Sequence, residues 1–325
     1  MNLLRKLIGK HITVLASLAV FLALYVAASV RYEGFFSLPV FINFFVNNAV
    51  LGIVAVGMTF VILSGGIDLS VGAVMSFSSV VIGVLIMDYH WHPLLAIAAS
   101  VACGTLLGGL MGVVIHTTGI KPFIVTLAGM FFARGLAFII HLESVAIDDP
   151  RHGDLAMVHL GPLPLTALLL LGFVAIGWYV ATFTAFGRNV YALGGSEEAA
   201  HLMGLPVMRT KIAVYAISGF CASFGGAALT FYLSSGNHLE GVGMELDAIA
   251  AVVIGGTLLA GGVGSVLGTL IGVLMLGLIL TSITTYEGML SSGLTRVAIG
   301  LLLLAFVLLQ KLLARRGATS ASVAG

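Results

Sequence analysis

Long charge-free runs alternate along this chain with short charged joints. The runs are Ile12 to Val30, Gly34 to Ile67, Leu69 to Met87, Pro93 to Ile120, Pro162 to Gly187, Ile212 to Leu239 and Ala248 to Tyr286. A helix needs ~20 apolar residues to cross the hydrocarbon of a bilayer, so several runs suffice for one pass, the longest for two, and the whole chain for about ten. The pattern predicts an all-α integral membrane protein with helices near 12–30, 45–63, 70–87, 93–117, 121–141, 163–185, 212–232, 247–259, 263–284 and 294–311. Several of these are short or interrupted by glycine, as broken membrane helices are.

Basic joints fix the expected orientation, because Lys and Arg concentrate on the cytoplasmic side. Arg5, Lys6, Lys10, Lys121, Arg188, Arg209, Lys211, Lys311, Arg315 and Arg316 all fall inside if the number of passes is even, which makes both termini cytoplasmic. The first run exceeds the ~7–15 apolar residues of a cleaved signal peptide and reads as a retained helix. Loops 31–41, 88–92, 141–161 and 233–245, with the turn at Glu287, then lie outside and hold most of the acids. Residues 1–313 read as one membrane domain with a cytoplasmic loop at 187–211, and 314–325 as a small, polar, disordered tail.

Composition narrows the class. The 325 residues are 60% hydrophobic and 8% charged, with 42 glycines, and a soluble domain of that composition would expose large apolar patches. A net charge of +1 without a basic, aromatic-interleaved patch gives no sign of a nucleic-acid partner. Cys103 and Cys221 lack metal or disulfide spacing and read as small buried packing residues. Gly104, Gly108 and Gly112 line one helix face, and Gly264, Gly268 and Gly272 repeat the spacing, which suits close helix packing in lipid. "LSGGIDLSVG" and "LAGGVGSVLG" (Leu259 to Gly268) echo one another. The echo is either a repeat marking a broken-helix transport site or a coincidence of low-complexity sequence.

The most informative soluble piece is "GRNVYALGGSEEAAHLMGLPVMRTK", Gly187 to Lys211. Ser196 can cap a short helix whose first turn carries Glu197 and Glu198, which favour the positive end of its dipole. Gly204 and Pro206 then stop it.

Within the apolar regions, polar residues are few and each has two readings. Asp68, beside Ser64, Gly65, Gly66 and Ser70, is either a cap at a tight turn, where Asp68 or Ser70 holds the next helix, or part of a gate. Arg134 sits several residues inside the fifth span and needs a partner, a carbonyl or a water-filled cavity. Asn43, Asn47 and Asn48 near the outer end of the second helix can bond sugar hydroxyls or neighbouring helices. Glu240, Glu245 and Asp247 flank an apolar re-entry and suit docking of an external protein by charge, or are simply solvated acids. His90 and His92 lack a third metal ligand, so Trp91 between them reads as an interface anchor and no metal or other cofactor is expected. No phosphate loop and no catalytic constellation stands in the chain.

Glu198 to Gly204 reads EAA, three residues, Gly, which resembles the ATPase-coupling motif of ABC transporter permeases. "GMTFVILSGGIDLSVGAVMSF", "KPFIVTLAGMFFARG", "GRNVYALGGSEEAAHLMGL" and "GVGMELDAIAAVVIGGTLLAGGVGSVLGTLIGV" extend the likeness across nearly the whole chain. Together they resemble the permease subunits of ribose-type ABC sugar importers, including permeases of bacterial galactofuranose importers. The resemblance implies a multi-pass inner-membrane subunit that does not hydrolyse ATP. It also implies a separate ATPase subunit, a periplasmic sugar-binding protein and a second permease, identical or homologous. Ser196, Glu197, Glu198, Ala199, Ala200, Leu202, Met203 and Gly204 would carry the ATPase contact; the family's Ile-x-Leu-Pro continuation is not matched. An ion-coupled secondary transporter is the alternative, but such carriers need buried acids or histidines along the path, and the spans hold almost none beyond Asp68.

Overall fold

The computed structural model describes residues 2–282 together with 297, 300, 301 and 304. Apart from residues 297, 300, 301 and 304, which are helical, the expected helix at 294–311 lies outside the described residues, as do the turn at Glu287, Lys311, Arg315, Arg316 and the tail at 314–325.

The described chain is helical. Its elements are α1 (Asn2–Arg31), α2 (Leu38–Asn47), α3 (Ala49–Leu63), α4 (Val71–Met87), α5 (Pro93–Thr118), α6 (Pro122–Ile140), α7 (Pro150–Ala156), α8 (Leu165–Phe183), α9 (Ala185–Gly195), α10 (Glu197–Leu202), α11 (Val207–Leu233), α12 (Met244–Ile254) and α13 (Val266–Thr281). Two short antiparallel pairs interrupt them: β1 (Val145–Ala146) with β4 (Ser235–Gly236), and β2 (His159–Leu160) with β3 (Leu163–Pro164). Proline opens α5, α6 and α7, where its missing N–H costs nothing, and Gly119 closes α5 in the left-handed conformation.

Among the described residues, five helices are long and apolar enough to cross a bilayer: α1, α5, α6, α8 and α11. A sixth crossing is broken, because α2 and α3 meet at a 53° bend. The expected single helix over 45–63 is therefore two pieces. Asn48 stands at the bend, where its side-chain amide donates to Phe44 O at 2.8 Å and packs against Gly277 of α13. α4, α12 and α13 are shorter apolar helices.

α11 is the hub, packed by α3, α4 and α5. Gly104, Gly108 and Gly112 form a packing face, as do Gly268 and Gly272, whereas Gly264 falls in the turn before α13. Gly108 of α5 lies against the Tyr215 backbone of α11, and Gly268 and Gly272 of α13 meet Gly255 and Ala251 at the end of α12. Close backbone approach replaces the hydrophobic drive that helices lack in lipid. Polar bonds add to it: Ser17 Oγ donates to Ile254 O at 2.6 Å, and Thr59 and Thr269 share a 2.7 Å hydroxyl contact between α3 and α13. Cys221 is buried on Gly57 as a packing residue, but Cys103 is exposed, because its side of α5 turns away from α11.

Candidate functional site

The segment from Ser196 to Lys211 folds as its residues dictate. Ser196 Oγ accepts the Ala199 N–H at 3.2 Å, Glu197 and Glu198 fill the first turn of α10, and Gly204 at φ +74° provides the left-handed stop. Lys211 Nζ donates to Glu197 Oε1 at 2.6 Å and ties α10 to the start of α11. Ala200 is buried, holding the helix to the body, while Leu202, Met203 and Met208 stand 82%, 67% and 45% exposed. Three large apolar side chains are thus exposed between the end of α10 and the first turn of α11, which water does not favour.

Behind α10, two glycine-rich turns meet. Residues 64–70 join α3 to α4, and residues 255–265 join α12 to α13. Gly262 N donates to Leu63 O at 2.9 Å, so the two echoed segments are neighbours in space. Gly65 adopts φ +82°, and Ser64 Oγ donates to Val61 O at 2.7 Å. Gly66 lies against the hydroxyl of Tyr215.

Asp68 is fully buried at the first of these turns. Its Oδ1 accepts Ser70 N at 2.9 Å and Ser70 Oγ at 2.6 Å, and its Oδ2 accepts Ser218 Oγ at 2.7 Å. A buried charge is tolerable when hydrogen bonds saturate it, as here. The expected cap is not what forms. Ser70 is the N-cap residue of α4 but its side chain caps no amide, because that hydroxyl is turned onto Asp68. The carboxylate instead pins the turn to α11, eleven residues or about 17 Å along from Val207 at ~1.5 Å per residue.

A second polar seam runs beside α4. Arg134 of α6 is half-buried, and its Nη1 donates to His238 O at 2.5 Å, Glu240 O at 2.9 Å and Ser76 Oγ at 3.3 Å. Ser76 Oγ donates in turn to His238 O at 2.8 Å, and Ser79 Oγ accepts Asn237 N at 3.2 Å. Gly236 packs on Ser79 and Gly241 on Gly72, so segment 235–243 descends along α4 toward its first turn. It is packed against the helices and not a free solvated loop. A polar, glycine-rich stretch looks like a solvated loop, yet irregular backbone can run inside a membrane protein when side chains satisfy it.

The acids assigned to docking move with that segment. Glu245 places Oε2, without a hydrogen-bond partner, in a buried position against Gly72, and Asp247 is partly buried in the first turn of α12. Glu240 stays partly exposed and lends its carbonyl to Arg134. Asn43 and Asn47 are exposed, whereas Asn48 is spent on the α2–α3 bend. Among the described residues no group of three or more His, Cys, Asp or Glu side chains is placed to hold a metal ion. A groove of about 830 Å³ between α5 and α11, lined by Val101, Thr105, Gly109, Val113, Phe220 and Phe224, is almost wholly apolar and belongs to neither polar site.

Sequence reasoning missed Tyr191 of α9, whose hydroxyl donates to Gly264 O at 2.9 Å, and Ser218, the partner of Asp68. A lone serine in an apolar helix carries no local signal, since only the fold brings it to a carboxylate 150 residues away.

A family profile described as the permease component of a branched-chain amino acid transport system matches residues 40–308. An inner membrane ABC transporter permease of Escherichia coli K12 is 45% identical, covering 94% of this chain and 93% of the relative. A fructose import permease of Bifidobacterium longum is 35% identical over 94% and 92%. A ribose import permease of Haemophilus influenzae is 36% identical over 88% and 92%. No solved structure matches the chain. With a profile match across most of its length and such identity over nearly whole chains, the chain belongs to this family of ABC transporter permeases, multi-pass proteins of the membrane.

Proposed function

We propose that this chain is the permease subunit of an ATP-driven importer that carries a monosaccharide across the bacterial inner membrane by alternating access. The carrying observation is α10: a capped, glycine-stopped helix that holds Leu202 and Met203 out into solvent. A separate ATPase subunit would cover that apolar face, since the chain has no phosphate loop of its own. Relatives named for ribose and fructose import support a pentose or hexose as cargo; galactofuranose is one such hexose.

The path runs along the seam of Arg134, Ser76, Asn237 and Glu245. A half-exposed guanidinium inside a span needs water or a partner on its open side, and only one of its nitrogens is spent on the chain. Arg134 with Glu245 balances charge, which suits a neutral polyol. The turn at Ser64, Gly65, Gly66, Asp68 and Ser70 serves as a gate, and Asn47 stands toward the outer side. A periplasmic sugar-binding protein delivers the solute at the outer face. A second permease, identical or homologous, completes the pore within the lipid. Residues 1–313 act as one permease domain with both termini cytoplasmic and about ten spans.

An ion-coupled secondary transporter finds less support. Among the described residues Asp68 is the one acid buried as a whole residue, and both of its oxygens are taken by Ser70 and Ser218.

The test is Leu202→Asp with Met203→Asp. The protein should reach the membrane in normal amount while ATPase recovery and sugar uptake both fall about tenfold, as loss of buried anchors in an interface does. Undiminished ATPase recovery would remove α10 from the contact.

A further inference from the structure

The face of α9 that turns toward the bundle carries Tyr191 and, one turn on, Gly194. Tyr191 donates to Gly264 O in the α12–α13 turn at 2.9 Å. At Gly194 a Cβ has no place: it would lie against Leu63 O, the last residue of α3, and 2.5 Å from Gly262 N. Leu63 O and Gly262 N are themselves hydrogen-bonded at 2.9 Å. A Cβ on Gly261, at φ +87°, would lie 2.8 Å from Gly65 N and 3.0 Å from Gly194 O. Three chain segments therefore touch backbone to backbone, two residues before the Ser196 cap of α10. By contrast Gly195, the next residue, is exposed and a Cβ there meets nothing within 4 Å.

From these contacts we infer that Gly194, supported by Tyr191, is the positioning residue through which a displacement of α10 reaches both turns at once. The direction of drive rests on the reading of α10 as the ATPase contact. Close-packed backbone has no side-chain rotamers to absorb a shift, so movement passes on instead of dissipating. On its other side α10 is tied to α11 by Lys211 and Glu197, and α11 holds Asp68 through Ser218. The turn at residues 64–70 is thus reached from the start of α10 by two routes, one through Gly194 and one through Glu197, Lys211 and α11. The two turns cannot open separately while Gly194 holds Leu63 O and Gly262 N between them.

The experiment uses the permease purified with its ATPase subunit, in a Cys103→Ala background carrying Ser64→Cys as a reporter. Thiol labelling at position 64 is compared between the nucleotide-free and the vanadate-trapped complex, and ATP hydrolysis is measured alongside. The parent and Gly195→Ala should each show a rate difference of roughly tenfold, within the range of coupling between two sites. Gly194→Ala should hydrolyse ATP yet lose that difference. Tyr191→Phe, which keeps the ring and removes only the hydroxyl, should reduce it and decides the matter if Gly194→Ala does not assemble. A full labelling difference in both Gly194→Ala and Tyr191→Phe overturns the inference, as does none in the parent. Absence of any ATPase subunit from the purified parent overturns instead the reading of α10 on which it rests.

Discussion

Ser218 Oγ donates to Asp68 Oδ2 at 2.7 Å, joining the hub helix α11 to the turn between α3 and α4. Removing the carboxylate strands the hydroxyls of Ser70 and Ser218, at a cost of about 1–3 kcal/mol for each buried group left unpaired. Asp68→Ala should therefore lower the thermal midpoint in detergent, whereas Asp68→Asn, which can still bond both serines, should lower it less. Equal midpoints for the two variants would show that the bonds do not hold the turn.

Arg134 predicts a failure of assembly. Its Nη1 gathers two carbonyls and Ser76 from segment 235–243 and α4. Arg134→Ala frees those carbonyls inside the bundle, so less protein should accumulate in the membrane, with Arg134→Lys recovering part of it. A normally abundant Arg134→Ala protein with altered sugar selectivity contradicts this.

Within the coupling loop, Glu198→Lys opposes the dipole at the start of α10, and Gly204→Pro cannot adopt φ +74°. Both should reduce uptake while leaving the amount in the membrane unchanged. Wild-type uptake in both would withdraw the coupling role.

His152 sets a pH dependence. Buried in α7, it lies against Phe231, with Nε2 3.2 Å from Thr230 Oγ1. Burial lowers its pKa, with Asp149 partly opposing. A depressed folded value means that the unfolded chain takes up the proton first. Stability is then fully present above the ordinary histidine value of ~6.5 and is lost as pH falls through the folded one. The thermal midpoint should be flat from about pH 7 to 8 and decline below about 6.5, and the decline should be shallower in His152→Gln. Asp149 takes no part in that window, because its hydrogen bond to Arg151 holds the carboxyl down to about 2. An unchanged decline in His152→Gln assigns the titration elsewhere.

What the sequence revealed was local. Ser196, Glu197 and Gly204 lie within one short stretch, and capping needs only neighbours, so α10 was legible in full. The glycine stripes were legible because a four-residue spacing by itself defines a face. The bend at Asn48 was not, since no proline marks it and the side chain that supports it bonds back to Phe44. Segment 235–243 misled because Ser76, Ser79 and Arg134, which satisfy it, are distant in sequence. The meeting of Leu63, Gly194 and Gly262 was invisible for the same reason, although each glycine was in plain view.

The most direct measurement is to tag the C-terminus, purify the protein from its native membrane in mild detergent, and identify its companions by mass spectrometry. The account predicts a stoichiometric ATPase subunit that is lost on Leu202→Asp with Met203→Asp, together with a permease partner. Repeated recovery of this chain alone, with sugar uptake into liposomes driven by an ion gradient, would contradict it.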